Sequence, residues 1–514
     1  MAELKSEPPP SPAMGDSLSG RVLRSSTLNA LEYGVRIVAM FIITPLVIAA
    51  LGPENYGIWL LLMLFFGYFK LLDLGVSLSI TRFIARELGS GNAARLSAVI
   101  NSGRYLFRRM AVASLVLTIL AALLCGLVVQ ESTELQIIRF VILIYGGVLS
   151  LRYLFQLFPV ILKSHVRYDL VVSAALVKVV AQSVALWLLL SYGHGMLTLA
   201  VVYAASELLE LLILAKHSRR LAETGRACAG VPDRSVTSDI LRYSSVAFLN
   251  QLASAFRNSI DPIVVSAVAG VVSVPIYSIG NRFLAMLGDL VNALFGGQLL
   301  AAFSQLDSSS KDSWHSPFER STRLCVAITT FGVLSLVFYG EAFIQRWLGD
   351  SFSASYTILL IMAAPMLFAL MQYPIPNVLY AQAKHKKLLV VSVTGAIANG
   401  IFSIILGLKY GIFGVVWATF GEMTAVYLLV VPLIFCRETG YSLRRYVKTL
   451  LLPLLFTGIP LLAYYGLARR FIAPDYLRIA TLGVVQILLF LPVFWWLICS
   501  TADRKMVLSM RKGG

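Results

Sequence analysis

Apolar residues run for bilayer-spanning lengths along this chain, separated by short polar stretches rich in Lys and Arg. Crossing the hydrocarbon core takes roughly 20 apolar residues, because about 30 Å is covered at about 1.5 Å per helical residue. About 14 segments meet that length, near 27–50, 56–79, 107–129, 137–162, 169–191, 196–216, 239–268, 274–303, 323–343, 353–380, 388–408, 411–436, 447–468 and 476–500. The pattern predicts an all-α polytopic membrane protein. "GPEN", between the first two segments, predicts a tight turn.

The cations set the orientation. Alternate connections carry nearly all of them, from Arg82, Arg86, Arg95 and Arg104 to Arg437, Arg444, Arg445 and Lys448, while the opposite set holds only Arg346, Lys409, Arg469 and Arg470. The ratio is about 27 to 4, which places the richer side and both termini in the cytoplasm. The start, "MAELKSEPPPSPAMGDSLSG", has no apolar core of a cleavable signal and reads as a disordered tail over 1–26.

Composition agrees with this picture: 58% of the 514 residues are hydrophobic and 13% charged, where soluble domains average about 45–50% and about 25%. Mean hydropathy is +0.80. Much of the net charge of +17 is topology signal, not a nucleic-acid surface. The five scattered cysteines lack metal-ligand spacing, and neither a metal site nor a disulfide is expected. The largest cytoplasmic connection, 217–238, divides the first twelve segments into six and six. The expected organisation is a first lobe over 27–216, a second over 239–436, two further helices over 437–500 and a cytoplasmic tail over 501–514. "LGPENYGIW" and "AGVVSVPIYSIG" echo each other weakly across the two halves, as internal repeats of transporters do.

Charges inside the spanning segments change the reading from scaffold to transporter, since such residues are costly and usually face a cavity. The first segment holds Glu32 and Arg36, the second Lys70 and Asp73, the fourth Arg152, the fifth Lys178, the sixth Glu207 and Glu210, the seventh Arg257 and Asp261, the eighth Arg282 and Asp289, and the twelfth Glu422. Glu32 with Arg36 and Arg257 with Asp261 are four apart, Lys70 with Asp73 three apart, so internal ion pairs are one reading. Arg152, Lys178 and Arg282 have no opposite charge at those spacings. Ser278, Arg282, Ala285, Asp289, Asn292 and Gly296 form one polar or small face along the eighth segment, and Asn250, Ser254, Arg257 and Asp261 a similar one on the seventh. Arg36, Lys70, Arg152, Lys178, Arg257 and Arg282 are thus expected to line a cavity that leans positive and takes an anionic substrate. Asp73, Asp261 and Asp289 are the counter-ion or ion-coupling candidates. Arginine suits the first role because its fork matches phosphate and carboxylate.

"LGPENYGIW", "LLDLGVS" and the exit "RFIARELGSGN", followed by "IQRWLGDSFSASYTILLIMA" and "KYGIFGVVWATFGE", resemble Wzx-type polysaccharide flippases. These form the polysaccharide transporter branch of the MOP exporter superfamily, which also holds MATE drug exporters and lipid II flippases. The resemblance covers essentially the whole chain. It implies two six-helix lobes around a cationic cavity and alternating access that carries a polyprenyl-diphosphate-linked oligosaccharide across the bacterial inner membrane. In lipid II flippases arginines of the first and eighth helices are needed; Arg36 resembles the first by helix position, and "YSIGNRFLAML" resembles the eighth-helix motif, which makes Arg282 its match. The expected partners are that lipid-linked glycan, the bilayer and the polysaccharide polymerase and assembly proteins, with the chain itself a monomer.

Two other readings compete. A MATE-type ion-coupled drug antiporter would share the fold and use the three aspartates for cations. A membrane polymerase or ligase would need catalytic groups on an outer domain, but the outer connections are short and the five histidines stand alone in turns or near helix ends. There is no P-loop, so no cofactor is expected and an H⁺ or Na⁺ gradient or the membrane potential is left to drive transport. Pro374 and Pro376, in "YPIPN", remove two backbone donors and mark a hinge.

Overall fold

The computed structural model describes residues 18–498 apart from 128–131, 193–194, 220–230, 307–312, 383 and 385; within helices, the side chains at 18–26, 70, 127, 132–134, 219, 245–247, 249–251, 253–259, 296–298, 300–302, 304–306 and 497 are not described. Residues 1–17 of the tail expected to be disordered, half of the expected linker and the C-terminal tail therefore lie outside the described residues, whereas the backbone of 18–26 is helical. What is described is helical, without a strand. Eleven helical runs among the described residues are long and apolar enough to cross a membrane. The first, Thr27–Ser90, contains the first two segments read from the sequence. Counting it twice and adding α8 and α9 below gives about fourteen crossings.

Two compact units divide the chain, Met1–Leu252 and Ala253–Gly514. The first contains α1 (Leu18–Phe69), α2 (Val76–Ser90), α3 (Ala93–Leu124), α4 (Ser132–Phe155), α5 (Leu157–Ser164), α6 (Tyr168–Ser191) and α7 (Met196–Arg219). α1 is two helices joined across a kink at "GPEN", where Gly52 is non-helical, at φ 76° and ψ 165°. That conformation is nearly closed to residues with a Cβ, and Pro53 then restarts the helix where its missing N–H costs nothing. Trp59, Phe66, Ile138, Val141, Leu186 and Leu199 build one core from α1, α4, α6 and α7. Ile80, Ile84, Ile100, Phe107 and Val160 build another from α2, α3 and α5.

Helix α8 (Arg234–Ala269) begins in the first unit, because Val236 and Ile240 insert into that second core. The unit boundary accordingly falls inside α8. Asp233 caps it, accepting from the Ser235 amide at 2.8 Å and the Ser235 hydroxyl at 2.8 Å. Those bonds hold its carboxyl below the usual carboxylate range.

The second unit continues with α9 (Ser273–Leu306), α10 (His315–Leu348), α11 (Ser353–Met371), α12 (Pro374–Ala381), α13 (Lys386–Tyr410), α14 (Ile412–Ala425), α15 (Val431–Thr439), α16 (Leu443–Ala468) and α17 (Tyr476–Val493). Helices α9 and α11 touch at Gly280, where an added Cβ would stand 2.6 Å from the Ser355 carbonyl oxygen. The tenth segment breaks between Met371 and Pro374, at the place the two prolines mark. Outward faces carry large apolar residues such as Leu115, Ile404, Leu455 and Leu488, as surfaces solvated by lipid tails require. Helix α16 packs on α10 through the stacked rings of Phe338 and Tyr465, 4.2 Å apart.

Candidate functional site

Glu32 and Arg36 lie one turn apart on α1 and pair, with Arg36 Nε donating to Glu32 Oε1 at 3.1 Å. The Arg36 side chain is 58% exposed and that of Glu32 only 10%. The carboxylate backs the guanidinium, and the arginine presents its far side outward.

The second segment is interrupted at mid-length. A short 3-10 turn, Lys70–Asp73, is followed by Leu74 and Gly75 at positive φ, 50° and 74°, before α2 starts. Asp73 turns to that start: its carboxylate accepts from the Ser77 hydroxyl at 2.6 Å and the Ser77 amide at 3.3 Å. It is a helix cap. The Ser77 oxygen in turn accepts from Gln156 Nε2 at 3.2 Å, at the break between α4 and α5. The side chains of Lys70 and Arg257 lie outside the described residues.

Arg152 and Lys178 find across helices the partners they lack along their own. Both bond to Glu207 and Glu210 on α7, which are three residues apart and so share a face. Arg152 Nη1 meets Glu210 Oε2 at 3.1 Å and Lys178 Nζ meets the same oxygen at 3.0 Å, while Glu207 bonds to both cations. The four groups tie α4, α6 and α7 together and sum to zero formal charge.

In the second unit, Asp261 is buried and held by neutral donors only among the described residues. Tyr277 on α9 and Thr419 on α14 donate hydroxyls to Oδ2 at 2.7 and 2.9 Å, and Asn399 on α13 donates its amide to Oδ1 at 2.9 Å. Ser403 donates to the Asn399 carbonyl oxygen at 3.4 Å. Four helices thus converge on one carboxylate. The set is rich in oxygen, which suits a proton or a hard monovalent cation better than a transition metal. No cluster of three His, Cys, Asp or Glu is present among the described residues.

The stripe read on the eighth segment is a real face of α9. Phe283, Leu284, Leu287 and Val291 are buried, whereas Arg282, Ala285, Asp289 and Asn292 are exposed and Ser278 is half-buried. Asn292 is bonded to the Tyr373 hydroxyl beside the tenth-segment break. The structure therefore gathers Arg152 with Lys178, and Arg282 with Asp289 along one face, while Asp261 belongs to a separate pocket. Tyr277, Asn399 and Thr419 were not singled out from sequence, where an isolated hydroxyl or amide in an apolar run carries no signal. Glu207 and Glu210 did carry one, their shared face.

A family model described as polysaccharide biosynthesis protein matches residues 22–307, more than half of the 514. The chain belongs to that family. Solved structures with the same fold include the lipid II flippase MurJ in an inward closed conformation, at TM-score 0.68 and 16% identity over 92% of this chain and 99% of that one. An inward-facing multidrug resistance MATE family transporter of the MOP superfamily matches at TM-score 0.65 and 14% identity over 84% and 99%. A MOP superfamily transporter from Pyrococcus furiosus matches at 0.55 and 13% over 84% and 97%. No curated protein sequence shows significant similarity. This member of the polysaccharide biosynthesis family thus has the fold of MOP transporters.

Proposed function

We propose that this protein is a flippase that carries polyprenyl-diphosphate-linked oligosaccharide units across the bacterial inner membrane for cell-surface polysaccharide synthesis. The observation that carries the reading is the exposed polar face of α9, with Arg282 on it, in a chain of the polysaccharide biosynthesis family. A permanent cation on an intramembrane face is costly unless it meets water or an anion. Arg36 in the first unit and Arg282 in the second are the candidates for holding the diphosphate, and Lys70 and Arg257 are further candidates for the same role. Arg152 and Lys178 complete the polar lining. Both termini are cytoplasmic by the Lys and Arg distribution.

Asp261 is the proposed coupling site, for a proton or Na⁺, and Asp73 and Asp289 act as counter-ions when the substrate is absent. Binding must favour one access state over the other, so the ion and the anion each need contacts that differ between the two states. The working species is the monomer, and the polysaccharide polymerase receives the flipped unit.

The test uses cells lacking the protein and redundant flippases. Polyprenyl-diphosphate glycans are extracted, identified by mass spectrometry and assigned to a leaflet with an impermeant lectin. A complete repeat unit trapped on the cytoplasmic face supports the reading. No accumulation transfers it to an ion-coupled small-molecule antiporter of the MATE kind.

A further inference from the structure

Arg152, Lys178, Glu207 and Glu210 form a closed quartet in the first unit. Its cations are balanced one for one by carboxylates within bonding distance. A diphosphate approaching Arg152 would meet two fixed negative charges on the same guanidinium nitrogen. The attraction that a lone arginine offers a polyanion is therefore cancelled at close range.

What remains open on the quartet is hydrogen bonding. Arg152 uses only Nη1, so Nε and both Nη2 hydrogens make no bond among the described residues. Lys178 spends two contacts of three. The carboxylates are the buried partners, 9% and 8% exposed, and the cations face outward at 30% and 19%. The row continues in neutral groups. Gln182, one turn beyond Lys178 on α6, accepts from the Ser206 hydroxyl at 3.1 Å and keeps its amide hydrogens unbonded among the described residues. An array of fixed, ionised but mutually neutralised groups presents charge-assisted donors without a net field. That is the chemistry that reads vicinal hydroxyls. A purely structural clasp explains it less well, since buried ion pairs seldom stabilise more than apolar packing of the same volume.

We propose that Arg152, Lys178, Glu207, Glu210 and Gln182 form a subsite for the uncharged hydroxyls of the glycan, separate from the groups that hold its diphosphate. The proposal rests on the flippase reading and adds how the cargo is told from the bare carrier lipid. Glu207 and Glu210 hold the donors in place and exclude a second phosphate from them.

The test measures affinities of the purified full chain for inorganic pyrophosphate, undecaprenyl diphosphate and the glycan-bearing lipid extracted from cells lacking the protein. The wild type is expected to prefer the glycan-bearing lipid to undecaprenyl diphosphate. Glu210→Gln leaves the quartet with one net positive charge and is expected to bind pyrophosphate at least about tenfold more tightly, the factor that one poorly screened charge exceeds. Lys178→Gln with Glu210→Gln restores neutrality and is expected to return pyrophosphate affinity to the wild-type value. Arg152→Gln leaves one net negative charge and is expected to lose the preference for the glycan, with pyrophosphate and undecaprenyl diphosphate weakened together. Size-exclusion profiles identify any variant that fails to fold, and the neutral double variant serves in place of a misfolded single one. The proposal is overturned if Glu210→Gln gains nothing for pyrophosphate, or if neither Arg152→Gln nor the double variant alters the preference for glycan. Wild-type protein that binds none of the three ligands overturns the flippase reading itself.

Discussion

Asn399 donates its side-chain amide to Asp261 at 2.9 Å, across 138 residues of chain. The bond matters because every described partner of Asp261 is neutral, so protonation of the carboxylate, or binding of a cation to it, strands no opposite charge among them. Asp261→Asn keeps the volume and is expected to leave the protein in the membrane. It should lower transport at least about tenfold and remove its dependence on the coupling ion, as expected for an intramembrane carboxylate on an ion path. Leaflet assays with imposed pH and Na⁺ gradients measure both, and retained ion dependence would sink the assignment.

Arg36→Ala and Arg282→Ala are each expected to abolish transport without loss of protein from the membrane fraction. Arg282→Lys restores the charge but not the bidentate fork, so it should recover only part of the activity. Trapped cytoplasmic-leaflet glycan is the readout. Normal flipping by Arg282→Ala would show that the diphosphate is held elsewhere.

Backbone geometry makes a separate prediction. Gly52→Ala places a Cβ where φ is +76°, at a cost of roughly 1–3 kcal/mol. Gly280→Ala drives a Cβ against the Ser355 carbonyl and should cost roughly 1–3 kcal/mol by overpacking. Gly483, in α17, has open space around its Cβ position, and Gly483→Ala should be neutral or slightly stabilising. Thermal unfolding in detergent ranks the three.

Tyr441 lies between α15 and α16, outside the spans, and donates to Glu319 at 2.6 Å. Burial, with Glu319 adding to it, pushes its hydroxyl up to about 12 from 10.0. A group whose value is raised on folding stabilises the protein fully below its unfolded value, and that contribution is lost as pH rises through the folded one. Stability should therefore fall between pH 10.0 and about 12, and Tyr441→Phe should flatten the fall. An identical alkaline profile in the variant would assign the fall to other groups.

How much of this was legible in the sequence depends on the distance over which each feature is encoded. Spans and the α9 stripe are written in local periodicity, and the Glu32 and Arg36 pair in a four-residue spacing. The partners of Arg152 stand 55 and 58 residues away, and no local pattern announces them. Asp73 was legible as a charge beside Lys70, but its use as a cap depends on the helix stopping at Leu74 and Gly75, which apolar periodicity passes over. Asp261 was found as a carboxylate, yet its pocket was not, because Tyr277, Asn399 and Thr419 look like ordinary residues of apolar helices.

The Ser77 hydroxyl gives its hydrogen to Asp73 and accepts one from Gln156, so a single oxygen joins the interruptions of two different crossings. The Ser164 hydroxyl of α5 shares its hydrogen between the Val160 carbonyl at 2.8 Å and the Thr81 carbonyl of α2 at 3.1 Å, and the shared core of Ile80, Ile84 and Val160 adds to that link. The two half-helices are thereby spliced into one body, and bending at either interruption must be transmitted to the other. Ser77→Ala should uncouple them, with amide exchange quickening at both 74–77 and 156–160 instead of at one alone.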